Sequence, residues 1–224
     1  MRRFVKESSL SLFFGAIFVA ALAGQAFSGW HQFNDAQLAA NLGLVSFGRY
    51  LTSADFVADV AENWQSEYLQ FLLYIAATVW FLQKGSPESK EPGKGGLESD
   101  EDQKVGEHAR PDSPAWARAG GARTLVFSWS LTGVMGLIFL GSWFAQSLGG
   151  WAAFNETRLQ RLQDPLAWGQ YVTNADFWSR TLQNWQSEFL AVGSMAVLSI
   201  YLRQRGSPES KPVGEPHAST GTDE

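Results

Sequence analysis

Apolar residues in this chain are gathered into four blocks, and the stretches between them are polar. The first block, residues 10–27, is apolar apart from Ser11 and Gln25. At 1.5 Å per residue it makes about 27 Å of helix, close to the ~30 Å hydrocarbon core of a bilayer. The third block, 125–148, has the same character, and 68–82 and 189–202 are the second and fourth. Ahead of the second block, Phe56, Val60, Trp64 and Phe71 recur at helical spacing. The pattern therefore predicts one helix over 54–83 with an amphipathic outer third at 54–63. Ser53 stands where its N-cap belongs, as does Asn174 in the second half, and Asp55 and Asp176 favour the first-turn dipole. Gly85-Ser86-Pro87 stops the helix. The predicted membrane helices are about 9–29, 64–83, 124–149 and 185–204, and 30–52 and 151–173 read as polar loops.

The blocks are two copies of one unit. Asn63-Trp64-Gln65-Ser66-Glu67 returns letter for letter at 184–188, an offset of 121 residues. Gly85-Ser86-Pro87-Glu88-Ser89-Lys90 returns at 206–211 with the same offset. Trp30 meets Trp151, Asn34 meets Asn155, Tyr50 meets Tyr171 and Gln25 meets Gln146 without a gap. A period this long is a duplicated domain half and not a solenoid, whose repeats run to about 50 residues. The organisation expected is a first repeat at 1–93, a cytoplasmic disordered linker at 94–122, a second repeat at 123–214 and a disordered tail at 215–224. The linker and tail are rich in Gly, Pro, Ser and charge, a composition that buries no core. The basic start followed by an apolar run also fits a signal peptide. Recurrence of that run deep in the chain argues for a membrane helix instead.

The fold class predicted is thus an all-α membrane protein with four transmembrane helices from two tandem two-helix repeats. Thirteen of the 17 Lys and Arg fall at the N-terminus, between residues 84 and 123, or from residue 203 onward, and only Arg49, Arg158, Arg161 and Arg180 fall on the other side of the predicted spans. That bias places both termini and the linker in the cytoplasm and gives the two repeats a parallel orientation. The partner implied is the lipid bilayer of a bacterial inner membrane. Net charge of −5 with no basic cluster argues against nucleic acid.

Glu67 and Glu188 are the ionisable groups at the start of membrane spans, where charge is costly and often functional. Counting 15 residues from the inner end of each helix puts Glu67 level with Gln25, and Glu188 level with Gln146, near the outer interface. The expected polar site is Gln25, Asn63, Ser66 and Glu67, with Gln146, Asn184, Ser187 and Glu188 in the second copy. The two carboxylates are expected to face the bundle interior. One reading makes these residues interhelical hydrogen-bonded glue. The other makes Glu67 and Glu188 a proton or cation site of a small transporter or channel. Trp30, Trp64, Trp151 and Trp185 read as interface anchors. His31, His108 and His217 lack repeat partners and ligand spacing, so no metal site, cofactor or catalytic residue is predicted. The absence of cysteine excludes disulfides and thiolate ligands.

The repeated Asn-Trp-Gln-Ser-Glu-[Tyr/Phe]-Leu, the run 205–214 and the linker segment 98–106 together resemble an uncharacterised family of bacterial integral-membrane proteins. The resemblance covers nearly the whole chain. It implies an inner-membrane location and assigns no activity, so the leading expectation is a structural or accessory role in the cell envelope. An enzyme ranks behind both that and the transporter reading.

Overall fold

The computed structural model describes residues 2–221, and among them every regular element is helical. The helices are α1 (Arg2–Glu7), α2 (Ser9–Ala39), α3 (Phe47–Tyr50), α4 (Ala54–Ala77), α5 (Ala115–Arg118), α6 (Gly121–Ser128), α7 (Ser130–Gln160), α8 (Trp168–Tyr171) and α9 (Ala175–Tyr201), with a 3₁₀ turn at Gly106–His108. Two of them, α2 and α7, are long and apolar enough to cross a membrane. The coarse expectation of an all-α chain holds, with two such helices where four were expected. In α4 and α9 the amphipathic first third is continuous with the apolar part, which dilutes their apolar character.

Several boundaries differ from expectation, each for a local reason. The predicted loops 30–52 and 151–173 begin as helix, because α2 and α7 run on to Ala39 and Gln160. Polarity alone does not end a helix: Trp30, Phe33, Asn34 and Gln37 keep the i, i+3, i+4, i+7 spacing of one face. The true stop is Asn41, at φ 58°, with Leu42 N–H returning to the Gln37 carbonyl at 2.8 Å. Its equivalent Leu162 adopts φ 56°, and Gln163 N–H returns to Arg158 at 2.9 Å. This left-handed closure suits asparagine and strains leucine. Helix α4 ends at Ala77 and not near 83, and at this end the Thr78 hydroxyl bonds back to the Tyr74 and Ile75 carbonyls at 2.9 and 3.1 Å. The third apolar block is divided at Trp129, where the hydroxyls of Ser128 and Ser130 likewise bond back to Thr124 and Phe127. The expected N-caps are present. Ser53 Oγ accepts from Phe56 N–H at 3.2 Å, and Asn174 Oδ1 accepts from Asp176 N–H at 2.9 Å.

The chain divides into two compact units. One comprises residues 1–61 and 144–177, the other 62–143 and 178–224. The first unit contains a clamp written twice. Trp30 Nε1–H donates to the Val45 carbonyl at 2.7 Å, while the Asn34 side chain donates to the same carbonyl at 3.0 Å and accepts from Val45 N–H at 2.8 Å. Trp151 and Asn155 treat Leu166 the same way, at 2.7, 2.9 and 2.8 Å. A returning loop is thereby pinned to its own helix through both polar groups of one peptide. Below each clamp sits a buried tyrosine among phenylalanines: Tyr50 lies 5.6 Å from Phe33 and 5.4 Å from Phe56, and Tyr171 lies 5.4 Å from Phe154 and 5.7 Å from Phe177. Burial first, then the charges of Asp59 and Asp55, pushes the Tyr50 phenol up, so it stays neutral. Each tyrosine hydroxyl occupies the space a Cβ would need at Gly29 or Gly150. The indole nitrogens of Trp30 and Trp151, expected to anchor at a lipid interface, are used here to hold the loops.

Candidate functional site

Helices α4 and α9 carry the repeated Asn-Trp-Gln-Ser-Glu words, which lie in the second unit. Identical letters make different contacts there. Trp185 Nε1–H donates to Gln65 Oε1 at 2.8 Å, and Gln65 is 0% exposed. Its repeat equivalent Gln186 is exposed. Glu62 accepts from the Arg180 guanidinium at 2.7 Å and from the Asn184 amide at 2.7 Å, and Asn184 also donates to the Arg180 carbonyl at 3.1 Å. Trp143 borders the cluster, with its ring 5.8 Å from Trp185 and 6.1 Å from Trp178. The first copy thus supplies acceptors and the second supplies donors. Arg180 keeps over a third of its side chain in solvent, so the ion pair sets the register of α4 against α9 more than it adds stability.

The remaining expected residues are distributed as follows. Ser66 is buried and donates to the Asn63 carbonyl at 2.9 Å, whereas exposed Ser187 donates to the Asn184 carbonyl at 2.8 Å. Both are bonds within one helical turn. Asn63 and Trp64 are exposed, and Trp185 is half-buried. Glu67 is exposed where a bundle-facing carboxylate was expected, and Glu188 is half-buried. Gln25, half-buried, and Gln146, buried, belong to the first unit, while Glu67 and Glu188 belong to the second.

Sequence reading missed Glu62, Arg180 and the role of Gln65. A signal was present. Glu62 aligns with Gln183 and Arg180 with Asp59, so both sit where the repeat breaks in charge. Departures from an internal repeat mark the places where two copies must differ in order to meet.

The second repeated word is a self-capped turn. Ser86 Oγ accepts from Glu88 N–H at 3.3 Å, and Ser89 Oγ accepts from Gln83 N–H at 2.8 Å and donates to the Lys90 carbonyl at 3.0 Å. Ser207 and Ser210 repeat this pattern, at 3.2, 2.9 and 3.1 Å. The lysines that close the words diverge. Lys90 donates to the Gly96 carbonyl at 3.0 Å and pairs with Glu98 at 2.8 Å. Lys211 is 1% exposed and its ammonium is ringed by the carbonyls of Gly85, Pro216, His217 and Ser219, at 2.6, 3.2, 3.0 and 3.0 Å. Gly85 N–H donates to Thr220 Oγ1 at 2.8 Å, and Gly221 N–H to the Ser86 carbonyl at 3.0 Å. Residues 216–221 of the predicted tail therefore fold back onto the first repeat's turn, while 222–224 lie outside the described residues. Gly85 must be glycine: its φ is +88°, and a Cβ would stand 2.5 Å from the His217 carbonyl. Beside it the Tyr74 hydroxyl donates to Glu88, and a hydrogen bond with Glu88 pushes the Glu209 carboxyl up.

Among the described residues no three His, Cys, Asp or Glu side chains converge on a metal position. The family described as Domain of unknown function (DUF6766) matches residues 1–222, nearly the whole chain. No curated protein and no solved structure matches.

Proposed function

The chain belongs to the DUF6766 family, and from that premise we propose a four-span inner-membrane protein with a structural or accessory role in the cell envelope. The observation that carries this reading is the engagement of Glu62, Gln65, Arg180, Asn184 and Trp185 with one another. Polar side chains that could serve a substrate instead hold α4 to α9, the role such groups play between helices in lipid. Membrane residence is supported by the apolar windows of α2 and α7, of which only 6% and 22% is buried by protein. The core helix of a water-soluble fold would be mostly covered. Side chains such as Phe13, Phe14, Leu137 and Leu140 stand exposed and need an apolar solvent. In this reading α4 and α9 are the second and fourth spans, the repeats run parallel, and both termini and the linker are cytoplasmic.

One observation favours a second reading. Glu67 and Glu188, equivalent residues of the two repeats, are the ionisable groups at the starts of the second and fourth spans, a position suited to a proton or a cation in transit. Proteoliposomes loaded with a pH-sensitive dye separate the two. The structural reading expects proton and alkali-cation leakage equal to that of protein-free vesicles, with no change in the Glu67→Gln, Glu188→Gln double variant. Flux above background that the double variant abolishes would replace it with the transport reading.

A further inference from the structure

A cavity of about 660 Å³ opens within the second unit, and neither functional reading uses it. Its size falls within the ~300–1,000 Å³ of small-molecule sites. The helices contribute apolar side chains, Ile75 and Val79 from around the end of α4, Leu125 from α6, and Trp129 at the break between α6 and α7. The end of the first repeat contributes the charge of Lys90, and the linker those of Glu98 and Asp100. Gly96 N–H bonds the Val79 carbonyl at 2.7 Å, which fixes the linker against the helix end and makes the cavity two-sided.

The charges decide what such a cavity admits. Lys90 is occupied by Glu98 and by the Gly96 carbonyl. Hydrogen bonds from Lys90 and Gln103 hold the Glu98 carboxyl below the usual carboxylate range, so it stays anionic at neutral pH. Asp100 has no side-chain partner among the described residues. The lining therefore carries one uncompensated negative charge, next to apolar surface and a half-exposed indole whose face attracts cations. An anionic amphiphile would meet Asp100 with no free cation to receive it.

We propose that this cavity binds an amphiphilic organic ammonium ion, with Asp100 as counter-ion and Ile75, Val79, Leu125 and Trp129 taking the apolar body. The full chain in lipid nanodiscs, titrated with monodansyl-1,8-diaminooctane and read by dansyl emission, tests it. Saturable binding is expected, displaced by octylammonium and not by octanesulfonate. Asp100→Asn should weaken it at least tenfold, and Val79→Trp, which narrows the apolar side of the cavity, should weaken it as well. Because Asp100 supports no other side chain, Asp100→Asn remains decisive even where Val79→Trp fails to fold. Non-saturable uptake equal to empty nanodiscs, equal displacement by the sulfonate, or unchanged affinity in Asp100→Asn would each overturn the proposal.

Discussion

Gly150→Ala is expected to destabilise the folded chain by about 1–3 kcal/mol, the usual cost of overpacking a filled site. The added methyl would stand 2.4 Å from the Tyr171 hydroxyl and 3.2 Å from the ring carbon bearing it. Tyr171 is 1% exposed and packed against Phe154 and Phe177, so it has nowhere to retreat. The repeat gives an internal duplicate, since Gly29→Ala meets the Tyr50 hydroxyl at 2.1 Å and Tyr50 is 2% exposed. Tyr171→Phe alone removes a 3.2 Å hydrogen bond to Asp176, worth about 0.5–1.5 kcal/mol. In the double variant the hydroxyl is gone and the methyl has room, so the two losses should not add. A coupling of at least about 1 kcal/mol in the compensating direction is expected from thermal or denaturant unfolding in detergent. Gly48→Ala, with nothing within 4 Å, is the control and should be near neutral. Simple additivity of the Gly150 and Tyr171 losses would show that the hydroxyl does not fill that space.

Lys211→Met should release the C-terminal residues, and Lys90→Met should do far less. The two positions are sequence equivalents, so the comparison isolates environment. Lys211 holds four carbonyls from full burial, and hydrogen bonds to a charged group contribute about 1.5–3 kcal/mol. Methionine leaves those carbonyls without a donor. Lys90 serves one carbonyl and one partly exposed carboxylate, where solvent screens the pair. Hydrogen exchange at Gly85 and Gly221 should accelerate at least tenfold in Lys211→Met and stay within about twofold in Lys90→Met. Equal protection in both variants would mean that the tail is held without the ammonium.

How much of this was legible in the residues differs by feature. The duplication, the helical class and the N-caps at Ser53 and Asn174 could be read directly, because each depends on local chemistry and on a fixed offset. The helical extensions to Ala39 and Gln160 were hidden behind polar composition, although Trp30, Phe33, Asn34 and Gln37 carried the helical period. The clamp was illegible for a different reason. Trp30 reads as an interface anchor until the Val45 carbonyl is placed beside it, and a 15-residue reach to a backbone atom leaves no mark in the letters. The interlocking of Gln65 with Trp185 was concealed by the repeat itself. Identical words suggested identical roles, whereas side chains that bond one another, such as Trp185 and Gln65, need complementary ones. Glu62 and Arg180 lie outside the repeated words, at positions where the two copies differ in charge.

The central claim is a four-span topology with two parallel repeats, and the absence of native cysteine makes it directly measurable. Single cysteines at Leu42, Gln163, Lys94 and Val213, probed in intact cells with a membrane-impermeant maleimide, test it most directly. The account predicts labelling of Leu42→Cys and Gln163→Cys from outside, and labelling of Lys94→Cys and Val213→Cys only after the membrane is opened. External labelling at Lys94→Cys or Val213→Cys, or protection of either outer position, would contradict it.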